Sequence, residues 1–165
     1  LRLKYLTETQ LDALSATARQ SPRLRANHNL HTDLNDPIQR LAIAMEPATS
    51  IRPHRHNHTW EVLTALRGCF VVLYFDAEGT VTQRCLLGDD CKVMEHDAGE
   101  LHAVLSLDEG GVIFEVKHGP YRPISEADYL PGFAGDDPAD NAALNAWYAT
   151  AQVGDRLTTA ALARY

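Results

Sequence analysis

Three of the eight histidines, His54, His56 and His58, fall within five positions, in the string Pro53-His54-Arg55-His56-Asn57-His58-Thr59-Trp60-Glu61, and Gly68 follows. Residues two apart on an extended segment share a side, so His54 and His56 can both reach one ion. Neutral imidazoles bind first-row divalent ions well, and a carboxylate adds a charged ligand, which Glu61 supplies from the start of the next predicted strand. Gly99-Glu100-Leu101-His102 reads as a glycine turn that delivers a histidine onto an otherwise apolar strand. The predicted ligand set is therefore His54, His56, Glu61 and His102 around one divalent transition metal, and Zn, Fe, Mn, Ni and Cu all accept such a set. His58 shares the parity of His54 and His56, but the chain must turn before Glu61, which leaves it at the rim or in solvent.

Ligands two apart need extended chain, and the sequence predicts it. From about residue 41 to 118, short strands alternate with turn signals. The predicted strands are 49–56, 60–66, 69–76, 80–87, 92–96, 101–107 and 112–118, with Asp76-Ala77-Glu78-Gly79 as a hairpin connection. Strands of this length and spacing mean an all-β sandwich or barrel. Before them, Thr7 to Gln20 reads as a short amphipathic helix with a Thr7/Gln10 capping box. After Pro131-Gly132, helical segments are predicted at 138–151 and 155–164, as a packing or dimer element. The expected organisation is an N-terminal helix in 1–22, a β-domain with the metal site in 23–130 and a helical extension in 131–165.

Other polar residues have positions that suit a ligand. Arg25, Asn27, Asn29 and His31 recur at period two, which puts a polar row on one face of an extended segment, toward solvent or a lined pocket. Gln39 and Arg40 lie on a neighbouring segment that either reaches the pocket or ties the edge strand down. In 112–118, Val112, Phe114 and Val116 alternate with Ile113, Glu115 and Lys117, so Lys117 is either an exposed charge or a substrate anchor.

Composition narrows the function. The chain of 165 residues has 15 Lys+Arg against 22 Asp+Glu, a formal charge of −7, and no basic block, which argues against a nucleic-acid partner. The longest apolar run, 69–74 with Phe75 as an extension, is far short of the ~20 residues that cross a bilayer, and no signal-peptide layout opens the chain. Cys69, Cys85 and Cys91 lack C-x-x-C spacing and read as buried free thiols of a cytoplasmic protein.

The string from His54 to Gly68 resembles the first motif of the cupin superfamily, G-x5-H-x-H-x3,4-E-x6-G, with Ala48 at the leading glycine. The second motif keeps Gly99 and His102, while Cys91, Asp97 and Ser106 stand at its other positions. The segments 21–31, 37–41, 52–56 and 115–121 further resemble the WbuC family of cupin-fold metalloproteins. That resemblance implies a single mainly β, jelly-roll-type cupin barrel carrying a short N-terminal helix and a C-terminal helical tail. It also implies a bacterial cytoplasmic protein, in some cases encoded among O-antigen polysaccharide genes, and a pocket role for Arg25, Asn27, Asn29, His31, Arg40 and Lys117, with His31 and Tyr121 as acid or base candidates. The expected function is a metal-dependent, isomerase-like or lyase-like enzyme acting on a small polar or anionic substrate. An Fe(II) dioxygenase with the same ligands and a non-catalytic metabolite-binding protein are the alternatives, and a homodimer is expected.

Overall fold

Helix α1 (Glu8–Gln20) starts on the predicted capping box: the Gln10 N–H donates to Thr7 Oγ1 at 3.2 Å and the Thr7 N–H to Gln10 Oε1 at 2.8 Å. In this computed structural model, residues 3–133 and 137–165 are described; residues 1–2 of the expected N-terminal segment and 134–136 of the expected C-terminal extension lie outside them. The strands are β1 (Arg25–Asn29), β2 (Ile38–Met45), β3 (Glu61–Arg67), β4 (Phe70–Phe75), β5 (Val81–Leu87), β6 (Val93–His96), β7 (Leu101–Ser106) and β8 (Gly111–His118). They form an antiparallel five-stranded sheet, β1-β2-β8-β3-β6, and a three-stranded sheet, β5-β4-β7. The sheets face one another as a jelly-roll sandwich, and among the described residues no strand pairing closes them into a barrel.

Three apolar clusters hold four layers together. Leu11 and Ala18 of α1 pack on Ala42, Ala44 and Val112, the outer face of the large sheet. Between the sheets lie Leu41, Ile43, Leu63, Phe70, Val72, Val104 and Ile113. Helix α2 (Pro138–Thr150) and the short α3 (Thr159–Leu162) cover the other side of the small sheet, where Trp147 and Tyr148 meet Leu73, Phe75 and Leu105. The C-terminal segment is thus a packing layer of this chain. Every one of these contacts removes apolar area from water, at about 25 cal/mol per Å².

Two predicted elements change. Residues 49–56 form no strand; among them only His54 bridges, to His102 and Tyr129. Pro53 has no N–H to give a ladder, so the segment stays extended but irregular. The predicted helix over 155–164 shrinks to α3 because residues ahead of it pair with the β4–β5 hairpin: the Val81 N–H donates to the Asp155 carbonyl at 2.8 Å and the Leu157 N–H to that of Gly79 at 2.9 Å. No helix among the described residues is long and apolar enough to cross a membrane. The three cysteines are free but half-buried rather than buried. Burial and the neighbouring Cys91 push the Cys85 thiol up to about 12.

Candidate metal centre and its cavity

Glu61 opens β3 at a register position shared with His96 of β6 on one side and Lys117 of β8 on the other. Glu61 as a whole residue is 1% exposed. Oε1 lies 3.3 Å from His56 Nε2 and 3.1 Å from Lys117 Nζ, and Oε2 lies 3.0 Å from His96 Nε2 and 3.2 Å from His102 Nε2. His54 joins His56 and His102: ring nitrogens of the three lie within 4.8 Å of one another. The expected ligands thus fall into two compact trios that share His102, His54 with His56 and His102, and Glu61 with His96 and His102.

Local backbone explains how. The His54 and His102 N–H groups each donate to the other's carbonyl, at 3.0 and 2.9 Å, which seats the irregular segment on β7. Gly99, at φ +88°, makes the turn into β7, and its N–H donates to the His56 carbonyl at 2.9 Å. A side chain at that φ would be strained.

Hydrogen bonds behind the rings assign the tautomers. His54 Nδ1–H donates to the Arg52 carbonyl at 2.8 Å and His102 Nδ1–H to the Glu100 carbonyl at 2.9 Å. The neutral His54 ring therefore presents an Nε2 lone pair inward, and His102 does so once its Nε2 proton has left. In the neutral ring, the His102 lone pair faces a carboxylate oxygen, acceptor against acceptor, an arrangement that suits a cation held between them. His96 differs. The buried Tyr74 hydroxyl donates to His96 Nδ1 at 3.1 Å, so His96 Nε2–H donates to Glu61 Oε2. His96 is thereby a positioning residue for the carboxylate, although it also forms a compact trio with Glu61 and His102.

The electrostatics match a cation site. Burial, then the neighbouring His102, lowers His54 to about 3, and burial lowers His56 to about 4, so both are neutral at physiological pH. Burial pulls His102 down too, but the Glu61 carboxylate outweighs it and leaves that ring above its ordinary value. Glu61 shows the converse balance: burial raises it, and His102, His96 and Lys117 together hold it well below the usual carboxylate range.

A cavity of about 1140 Å³ runs along the inner face of the large sheet and reaches this centre. Arg25, Asn27, Asn29 and His31 all line it, as do Lys117 and Tyr121. Arg40 does not. Gln39 and Leu41 take the inward parity of β2, so Arg40 leaves the opposite face and pairs with Asp36 at 2.9 Å. His58 lies off the cavity, its ring 6.2 Å from that of His56. On β8 the inward set is Ile113, Glu115 and Lys117, and Lys117 Nζ bridges Glu61 to Glu115 Oε1, at 2.7 Å from the latter. Burial between Leu63 and Leu41 in the ladder, then the charge of Glu61, raises the Glu115 carboxyl. Sequence reasoning missed His96, Tyr74 and Glu115 as site residues. Period-two parity on β8 was the signal for Glu115, because it comes with Lys117; nothing local marks His96.

No curated protein matches the chain by sequence. A family model described as a domain of unknown function, DUF6016, matches residues 6–87. Among solved structures, CapF, the capsular polysaccharide assembling protein of Staphylococcus aureus, superposes with a TM-score of 0.51 at 15% identity, over 62% of this chain and 28% of its own. The chain thus spans less than a third of that protein. A recombinant oxalate oxidase in complex with glycolate gives a TM-score of 0.52 at 15% identity over 72% of this chain and 61% of its own. A further oxalate oxidase, bound to the same substrate analogue, gives 0.51 at 12% identity, over 80% and 76%. These are cupin-fold proteins, and the present chain has the cupin fold.

Proposed function

We propose that the chain is a metal-dependent cupin enzyme acting on a small polar or anionic substrate by isomerase-like or lyase-like chemistry. The observation that carries this reading is Glu61, a residue 1% exposed whose carboxylate lies within 3.3 Å of three imidazole nitrogens on the wall of a large cavity. His54, His56, Glu61 and His102 would hold one divalent ion. That ion, when bound, supplies Lewis-acid polarisation of a substrate oxygen.

The chain's own residues supply the remaining functions. His96 fixes Glu61 Oε2, and Lys117 holds Oε1 while carrying a positive charge into the cavity; its ammonium, lowered by burial, is raised by Glu115 and Glu61 by more. Glu115 has no ligand duty in this set. Its raised carboxyl, hydrogen-bonded to Lys117, is the group suited to hold or release a proton beside the substrate. The WbuC resemblance of the sequence supports a carbohydrate-derived substrate.

A second reading, a metabolite-binding protein without turnover, is favoured by one observation: neither Tyr121, half-exposed at the mouth, nor His31, tied to the Arg40 backbone, contacts Glu61 or its histidines. The test is metal analysis of freshly purified, anaerobically handled protein and of His56→Ala. One ion per wild-type chain, lost in the variant with the fold retained, is the expected result; a metal-free wild type, or full occupancy in the variant, overturns the ligand set. Turnover that consumes dioxygen would reassign the reaction class.

A further inference from the structure

The chain carries a formal charge of −7, yet its cavity is cationic. Among the described residues lining it the carboxylates are Glu61 and Glu115, and both contact Lys117. Against them stand Arg23, Arg25, Arg122 and Arg52, and of these only Arg52 has an ion pair among the described residues, with Glu126 at 2.9 Å. Arg25 is the inner member. No hydrogen bond or ion pair among the described residues holds its guanidinium, though it feels the charge of Glu115 across the cavity. Burial and the neighbouring Arg23 disfavour its charged form, but a guanidinium remains charged at any working pH. A desolvated cation with no counter-ion in the fold is a cost unless a ligand anion meets it.

His31 gives a second, independent pointer. The ring is 5% exposed. Its Nδ1 lies 2.9 Å from the Arg40 nitrogen and 3.1 Å from the Arg40 carbonyl oxygen; accepting the Arg40 N–H, the closer contact, places the proton of the neutral ring on Nε2. Nε2 is buried, lines the cavity side of the segment after β1 and has no hydrogen-bond partner. Between Arg25 and His31 the amides of Asn27 and Asn29 face the cavity without side-chain partners among the described residues. At about 3.3 Å per residue, the Arg25-to-Asn29 row is roughly 13 Å long, the length of an extended molecule rather than of a single small ion.

Resting on the metal-dependent reading above, we infer that the substrate is an extended, oxygen-rich organic anion with at least two negative charges, one end at the metal and the other along the Arg25–His31 row. Carboxylate and phosphate share the chemistry this row recognises. When the centre is loaded with a divalent ion, the inner cavity gains further positive charge, so affinity should rise with ligand charge and fall with salt.

Four probes separate the possibilities: glucarate, gluconate and sorbitol, which share a six-carbon chain at decreasing charge, and glucose 6-phosphate. Calorimetric titration of the zinc-loaded chain should rank glucarate above gluconate above sorbitol, and the position of glucose 6-phosphate tells whether phosphate or carboxylate is the better fit. Arg25→Gln should weaken glucarate by about tenfold or more, the loss of a charged hydrogen bond, and leave sorbitol unchanged. His31→Asn keeps an acceptor for the Arg40 N–H and removes the Nε2–H donor, and should weaken glucarate without altering metal content. Equal binding of glucarate and sorbitol, no binding of any probe at millimolar concentration, or unchanged glucarate affinity in Arg25→Gln overturns the inference. Repeating the series on metal-free His56→Ala keeps the two readings apart. Charge-ranked binding there upholds the anion row even if the metal assignment fails, whereas stoichiometric zinc with unranked probes leaves the metal centre standing and removes the row.

Discussion

The inner face of the large sheet has two ends built from the same three strands. At one end Ala65, Ile113 and Ile43 lie side by side across β3, β8 and β2; two rows further on the same neighbours are Glu61, Lys117 and Gln39. Between them, Glu115 sits with Leu63 and Leu41 on either side. A step of two residues is about 7 Å of strand, so the change from apolar core to buried ion pairs takes roughly 14 Å. The apolar rows give stability by burial; the charged row consists of groups whose burial is costly and is offset by mutual pairing. One sheet thus separates the groups that hold the fold from those of the proposed centre, without a separate domain for either.

The sharpest way to break this contrast is to truncate one member of each end. Glu61→Ala removes the common partner of His56, His96, His102 and Lys117. It should abolish metal retention and cost about 1–3 kcal/mol of stability, because the buried His96 Nε2–H is left without an acceptor while Lys117 keeps Glu115. Ile113→Ala, at the other end, should cost about 2–4 kcal/mol through the cavity it leaves, yet keep one ion per chain. Metal content and urea unfolding of the two variants separate the ends; loss of metal in Ile113→Ala would mean that they are not separable.

His96 sharpens the comparison at the charged end. If it positions Glu61 rather than ligating, His96→Phe should weaken metal affinity by about 10- to 100-fold while leaving a one-to-one stoichiometry at saturating metal, as is usual when a ligand loses its supporting hydrogen bond. Competition against a chelator of known affinity measures this. A lost equivalent of metal would instead make His96 a ligand.

These two residues also mark how far the sequence could be read. His54, His56 and Glu61 are legible because parity and spacing act over a few residues, and His102 because a positive-φ glycine precedes it. His96 reaches Glu61 only through the β3–β6 pairing, and β4 and β5 intervene along the chain. No local pattern records such a pairing. The inward face of β8 stayed ambiguous for a related reason: α1 covers Val112 from outside, so both parities of that strand are shielded and alternation no longer distinguishes core from surface. Arg40 was misplaced because a cation on a predicted strand carries no sign of which side its parity takes; its inward neighbours Gln39 and Leu41 decide that. The predicted strand over 49–56 fails at Pro53, while two backbone hydrogen bonds still set His54 beside His102.

The smallest effect expected is a count of protons. Three ordinary imidazoles with a pKa of about 6.5 would together release about two protons when a metal binds at pH 6. Here His54 and His56, lowered by burial to about 3 and about 4, have already lost theirs. His102 alone, raised by Glu61 against the effect of burial, still holds one. Metal uptake at pH 6 should therefore release close to one proton, read from the difference between binding heats in two buffers of unlike ionisation enthalpy. The sign follows from the direction of each shift. Affinity should fall as pH drops through the raised value of His102, with no added fall from His54 and His56 until pH nears 4. Release of two protons or more at pH 6 would mean that the three rings are not differentiated by burial and by Glu61, and the charged end of the sheet would then be an ordinary solvated histidine cluster.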